Sequence, residues 1–475
     1  MTHTPALDDL QGLLVRSYSN LKSACFLLLE ITDAAAARAW LAVTAAEATD
    51  ARTRPATSSL NLAFTSSGLA ALGLDSATTE MFANEFAEGM TTPFRQRLLG
   101  DTGESAPSYW AWGGPNGPPV HVAALLYATD EAGLAALRDA QLRRAAAQGL
   151  RTVALLDTVD LDGVEHFGFR DGVSQPAMAG LGRPGRPDNT VAIGEFVVGY
   201  PNQYGLFAER PLLSRSADPA GILPLDLAGS GGPDLGRNGS YLVLRQLSQD
   251  VRSFWRYADR ATRHPDHTSD QARRTWLAAK MLGRWPSGAP LVAAPHHDDP
   301  ARSSFNDFRY HAVDPQGDRC PLGAHIRRAN PRDSLDPWPG SERSLEVNSH
   351  HRILRRGREY GPPVDPDTLL EDVRDHQDRG LHFLCLNANL ARQYEFLQHT
   401  WINSPKFAGL YDDDDPMLGP REPGGGTFTV PGTPVRQRFQ GLPRFVKVRG
   451  GAYFFLPGIR ALRYLAAIEE GSGSG

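Results

Sequence analysis

The chain has 475 residues, more than a single hydrophobic core usually grows to, so two domains or one body with two cores are expected. Its 41% hydrophobic and 22% charged residues are ordinary soluble globular usage, and a net charge of −5 offers nucleic acid no electrostatic foothold. Three cysteines (Cys25, Cys320, Cys385) are too few for a disulfide framework and suit a reducing compartment, and no apolar run is long enough to span a membrane.

Met1–Gln11 has no basic stretch ahead of an apolar one, so no secretory signal is read and a cytoplasmic location is expected. Ala24–Ile31 (ACFLLLEI) then reads as a strand, with a helix over Ala34–Ala46. Leu60–Phe64 precedes a helix at Gly68–Leu74, and His121–Ala128 (HVAALLYA) precedes one at Glu131–Gln148. The same order returns later. Ser240–Leu247 leads into Asp250–Asp259, His382–Leu386 into Asn389–His399, and two strands, Phe445–Val448 and Ala452–Leu456, into Ile459–Ile468. Continuous or period-2 apolar runs suit strands, and 3.6-residue stripes suit helices.

The pattern predicts an α+β protein of two duplicated ferredoxin-like domains, antiparallel sheets with peripheral helices. A Gly- and Pro-rich run near residues 200–235 separates the halves, giving domains at 1–220 and 221–470 and a flexible tail, GSGSG, at 471–475. Glu88–Pro119, Arg260–Gly323 and Ala329–Arg352 read as long irregular stretches, as lids and insertions do.

No phosphate loop, HExxH zinc motif or CxxCH haem-attachment motif occurs. His296-His297-Asp298-Asp299 has no second ligand pair at metal-site spacing and reads as a solvated loop. Three other segments stand out. Gly168-Phe169-Arg170-Asp171-Gly172 brackets an Asp between glycines and is followed by Val173-Ser174-Gln175-Pro176. In Cys320–Arg332, His325 is followed by Arg327, Arg328 and Arg332. Neutral imidazole suits iron, and arginines suit the paired carboxylates of a haem. In His351–Gly361, Ile353 and Leu354 let a basic segment dip into a core and carry an Arg with it.

These segments, in this order, resemble the dye-decolourising peroxidases. The resemblance extends to Asn61–Leu74, Gly194–Gly205, Gly236–Val251 and Gly380–Phe407. It implies a peroxidase that reduces hydrogen peroxide through a ferryl intermediate and oxidises dyes, phenolics or other one-electron donors. It also implies one non-covalent haem b per chain, bound in the C-terminal half, and pairing as a homodimer. By the resemblance, Asp171 matches the acid/base of the GxxDG motif and Arg355 the distal arginine. His325 matches the iron ligand, Arg332 the propionate arginine, and Leu381 and Phe383 the apolar distal pair. An acidic partner for the imidazole is expected within Asp412–Asp415, with Asp415 favoured. Trp401, in HTWINSPKF, reads first as a packing residue, since Trp is mostly buried, with a surface relay for electrons from bulky dyes as the alternative.

The chemistry needs one group that takes a proton from peroxide and returns it to the outer oxygen. Asp171 fits if it is ionised. Arg355 would keep it so against desolvation and would also stabilise charge on the departing oxygen.

Overall fold

The apolar run Ser23–Ile31 forms strand β1, buried along nearly its whole length because both faces of the sheet are covered. Alternate side chains go to opposite faces. Cys25, Leu27 and Leu29 enter one core, and Phe26 and Leu28 enter another. Helix α1 (Ala34–Glu47) starts at Asp33, whose carboxylate accepts the amide of Ala36. The half is completed by β2 (Ser58–Phe64), β3 (Val122–Ala128), α2 (Glu131–Ala147) and β4 (Leu150–Asp157).

The C-terminal half repeats the theme. Strand β5 (Ser240–Gln249) is followed by helices α3 (Val251–Thr262), α4 (Gln271–Leu282) and α5 (His325–Ala329). Short strands β6 (Leu354–Arg355) and β7 (Arg358–Tyr360) come next, then β8 (Gly380–Asn387), β9 (Val446–Leu456) and α6 (Ile459–Ala467). In this computed structural model, which describes residues 4–181, 185–371, 377–421, 424–432 and 434–468, these nine strands form one sheet in the order β4-β1-β3-β2-β9-β5-β8-β6, with β7 also on β8. The 471–475 tail lies outside the described residues.

With the short β6 and β7 counted as one, the strand order within each half is the same: fourth, first, third, second. All the pairings in this sheet are antiparallel. That is the duplicated ferredoxin-like α+β architecture expected from the sequence. The halves meet where Phe64 of β2 pairs with Phe455 of β9. Helices α1 and α6 cover one face of the sheet, and Leu10–Leu21 with Phe196–Tyr200 cover part of the other. Over the C-terminal half, the face that carries Arg245, Leu247, Leu381 and Phe383 is left uncovered, and a cavity lies on it.

Several elements differ from expectation: helices at Pro93–Leu99 and Glu342–Ser349 lie in stretches read as irregular, and β4 is not among the predicted strands. The two strands expected at Phe445–Val448 and Ala452–Leu456 are one strand with a bulge between Val448 and Gly450. The helix expected over Asn389–His399 is wound as wide π-helical turns, Ala391–Glu395 and Leu397–Ile402, a form that recurs at functional sites. The stretch Arg260–Gly323 is not wholly irregular, because it contains α4. Its ends were marked in the sequence: Asp270 caps the first turn through the amide of Arg273, and Gly283 closes it at φ +99°.

Phe455 packs against Phe82, Phe86 and Tyr241 at the seam. Phe455→Ala is expected to cost about 3–5 kcal/mol, read as a lower denaturation midpoint.

Candidate active site

The GxxDG segment is a loop whose glycines do conformational work. Gly168 and Gly172 sit at φ +90° and +75°, where a side chain would be strained. The turn is closed by the amide of Glu165 donating to the carbonyl of Phe169 (2.9 Å) and the amide of Gly168 to that of Glu165 (2.8 Å). The Asp171 amide donates to the Gly163 carbonyl at 2.9 Å, and its carboxylate is left facing the cavity.

Arg355 comes to the same place from the other side. It ends the two-residue strand β6, which pairs with β8 at Cys385. Its amide donates to Gln175 Oε1 at 3.1 Å, so the GxxDG segment and β6 are tied together. Nη1 then donates to both oxygens of Asp171, at 2.9 and 3.2 Å. Burial pushes the Asp171 carboxyl up, but the charge and hydrogen bonds of Arg355 outweigh it, and the group sits below the ordinary carboxylate value. Residues 184 apart in sequence thus form one charged unit.

His325 begins α5. Its Nδ1 lies 2.9 Å from Asp415 Oδ2. The other oxygen of Asp415 accepts the amides of Met417 and Leu418 at 2.9 and 2.8 Å, which fixes the carboxylate. Burial opposes charge on the imidazole, yet the Asp415 carboxylate wins and raises its value above the ordinary one. With Nδ1 engaged, Nε2 is the nitrogen left for a ligand. The His325 side chain keeps 29% of its surface open, and that surface faces the cavity shared with Asp171 and Arg355.

Phe167, Phe169, Ile326, Leu381, Phe383, Met417 and Leu418 contribute apolar wall. Leu381 and Phe383 lie two apart on β8 and so share its cavity face. The polar wall is cationic. Arg332, held at φ +55°, bonds the carbonyls of Asn306 and Phe308 and stacks 3.8 Å from the Phe308 ring. The Arg352 guanidinium bonds the Asn189 side chain, at 2.9 Å. Neither touches a carboxylate among the described residues. Burial lowers the value of both, that of Arg352 to about 9. Desolvated guanidiniums of this kind call for an anion. A flat apolar macrocycle with two carboxylates and an iron that takes imidazole matches these walls, cations and free nitrogen, so the residues fit a haem.

The structure brings together all seven expected residues: Asp171, Arg355, His325, Arg332, Leu381 and Phe383 line the cavity, and Asp415 backs His325. Arg352 and Glu165 also line it and were not singled out. The other two arginines after His325 turn away. Arg327 pairs with Asp314, and Arg328 holds the carbonyls of Trp401, Ser404 and Asp413. Trp401 is 4% exposed and packed on His351, Phe396 and Phe407, so it is the packing residue of the first reading and not the surface relay of the alternative. Among the described residues no cluster of His, Cys, Asp and Glu could hold a bare metal ion, and no helix is long and apolar enough to cross a membrane.

No protein-family model matches the chain. It is 31% identical to a dye-decolorizing peroxidase of Mycena epipterygia, over 97% of this chain and 87% of the relative. It is 30% identical to one of Auricularia auricula-judae, over 96% and 86%. Its structure is similar to the crystal structure of the fungal DyP-type peroxidase of Auricularia auricula-judae, with a TM-score of 0.78 and 27% identity, covering 98% of this chain and all of that one. A solved ancestral D-type dye-decolorizing peroxidase is similar to the same degree, with a TM-score of 0.78 and 26% identity over 98% and 100% of the two chains. The likeness therefore spans the whole duplicated sheet and the cavity on it, and the chain belongs to the dye-decolourising peroxidase family.

Proposed function

We propose that the protein is a haem peroxidase that reduces hydrogen peroxide and oxidises dyes, phenolics or other one-electron donors. The observation that carries this is the ionised Asp171–Arg355 pair across one cavity from the free nitrogen of His325. A haem carrier would need the histidine and the cations but not that pair.

In this reading one non-covalent haem b sits in each chain. His325 Nε2 would bind the iron, Arg332 and Arg352 would hold the propionates, and Leu381 and Phe383 would exclude water above the ring. When bound, the haem supplies the iron at which peroxide is reduced and the oxidising equivalents that the donor later discharges. Asp415 keeps Nδ1 of His325 engaged and makes the imidazole a stronger electron donor. Asp171 accepts a proton from hydrogen peroxide and returns one to the departing oxygen, so that water leaves. Arg355 donates to the negative charge that grows on that oxygen. The division into 1–220 and 221–470 belongs to the same proposal, supported by the repeated strand order on either side of it.

Haem titration followed by one equivalent of peroxide tests this. The wild type is expected to form a Soret band and lose it to an oxidised spectrum, while His325→Ala loses the histidine-ligated ferric spectrum. Asp171→Asn is expected to slow the peroxide step about 10²–10⁴-fold, and Arg355→Leu about 10²–10³-fold. A haem-loaded wild type that stays ferric with peroxide refutes the peroxidase.

The pH dependence follows from the Asp171–Arg355 pair. A lowered carboxyl is half-protonated only below the ordinary 3.8, so the acid limb of the peroxide step should have its midpoint below that value. Stopped-flow rates across the acidic range read this limb; a midpoint at or above 3.8 contradicts it.

A further inference from the structure

The loop that carries Asp171 is anchored by the buried Phe167 and Phe169 and is otherwise open around its glycines. A side-chain carbon added at Gly163, Gly168 or Gly172 would meet nothing within 4 Å. Backbone hydrogen bonds close the turn, and three further N–H donors, two from the loop and one from β5, meet on one side chain. Glu165 Oε2 accepts the amide of Phe167 at 2.9 Å, and Oε1 accepts that of Phe169 at 3.2 Å. Gln249, the last residue of β5, donates its side-chain amide to Oε2 at 2.9 Å. No guanidinium or ammonium touches this carboxylate among the described residues; neutral N–H donors alone compensate it.

Phe167 and Phe169 are buried against Phe254 and Trp255 of α3. The Glu165 carboxylate thus joins three bodies: the sheet through Gln249, α3 through the two phenylalanines, and the loop itself. Asp171 hangs two residues beyond the last amide it holds. Burying a carboxylate with no cation is costly, and a plain loop would not need it.

We propose that Glu165 is a positioning residue of the peroxide reaction: its carboxylate clamps Phe167, Phe169 and Gln249 and so sets the geometry of Asp171 against Arg355. The proposal rests on Asp171 being the proton-transfer group. A displacement of about 1 Å at such a group costs up to about 100-fold in rate. Burial pushes the Glu165 carboxyl up to about 7 against its N–H bonds, and the charge of Asp171 pushes the same way. Over the acid limb the clamp is therefore a neutral carboxyl, whose Oε2 can still accept the Phe167 and Gln249 N–H donors.

The test uses haem-loaded Glu165→Gln, in which an NH2 would face N–H donors, and Gln249→Leu, which removes one bond and leaves the carboxylate. Stopped-flow rates with peroxide against pH are read alongside hydrogen exchange of the 163–173 segment. Glu165→Gln is expected to slow the peroxide step about 10- to 100-fold, to move the acid limb upward as the Asp171–Arg355 contact loosens, and to speed exchange in the segment. Rates are taken per bound haem, because Glu165, Phe167 and Phe169 line the same cavity, and the KM for the reductant is expected to stay within about twofold. Gln249→Leu should shift the limb and the exchange the same way by less, which keeps the test alive if Glu165→Gln does not fold. Wild-type rate, limb and exchange in either variant overturn the proposal. An undiminished rate in Asp171→Asn overturns instead the reading on which it rests.

Discussion

A carboxylate that has to stay charged inside a cavity walled by Phe, Leu and Met is kept so by one guanidinium. Arg355 reaches Asp171 with a single nitrogen shared between both oxygens, and that contact reverses the effect of burial on the acid. Much of the architecture serves this contact. A two-residue strand at the edge of the sheet carries the arginine. A glycine-bracketed loop carries the acid, and Gln175 ties the two together. Removing either partner would leave the other an uncompensated charge, which is why such pairs are expensive to break.

The opposite wall repeats the logic with a different acid. Asp415 lies behind His325, with one oxygen on the imidazole and the other on two backbone amides. Its carboxylate is set by the local chain, so the ring orientation is set too. Between the two walls stand Arg332 and Arg352, whose charge no protein carboxylate meets among the described residues. A dianionic ligand entering between them relieves that cost, so ligand binding and the stability of this half are thermodynamically linked.

Much of the sheet was legible because apolar runs such as ACFLLLEI and SYLVLRQL are continuous and long enough to stand alone. Strand β4 was missed, since Arg151 and Thr152 break the apolar pattern of LRTVALLD on an outer edge strand with exposed positions. Helix α4 was missed because its arginines obscure a narrow apolar stripe, although both its ends carried capping signals. The seven expected site residues came from motif order and resemblance, and local pattern alone could not have joined Asp171 to Arg355, or His325 to Asp415, 90 residues on. Arg352 and Glu165 lay inside or beside the motifs, but their roles depend on which groups surround them. For Trp401 the general burial of tryptophan pointed inward, where the ring lies, although HTWINSPKF itself says nothing of its direction.

The most direct test of this account is a carbon-13 NMR titration of the Asp171 carboxyl in the wild type and in Arg355→Leu. The account expects a wild-type midpoint below the ordinary 3.8 and a midpoint above it once the guanidinium is gone. A wild-type midpoint at or above 3.8, or one that does not move in Arg355→Leu, would contradict the claim that this ion pair keeps the acid ready to take a proton from peroxide.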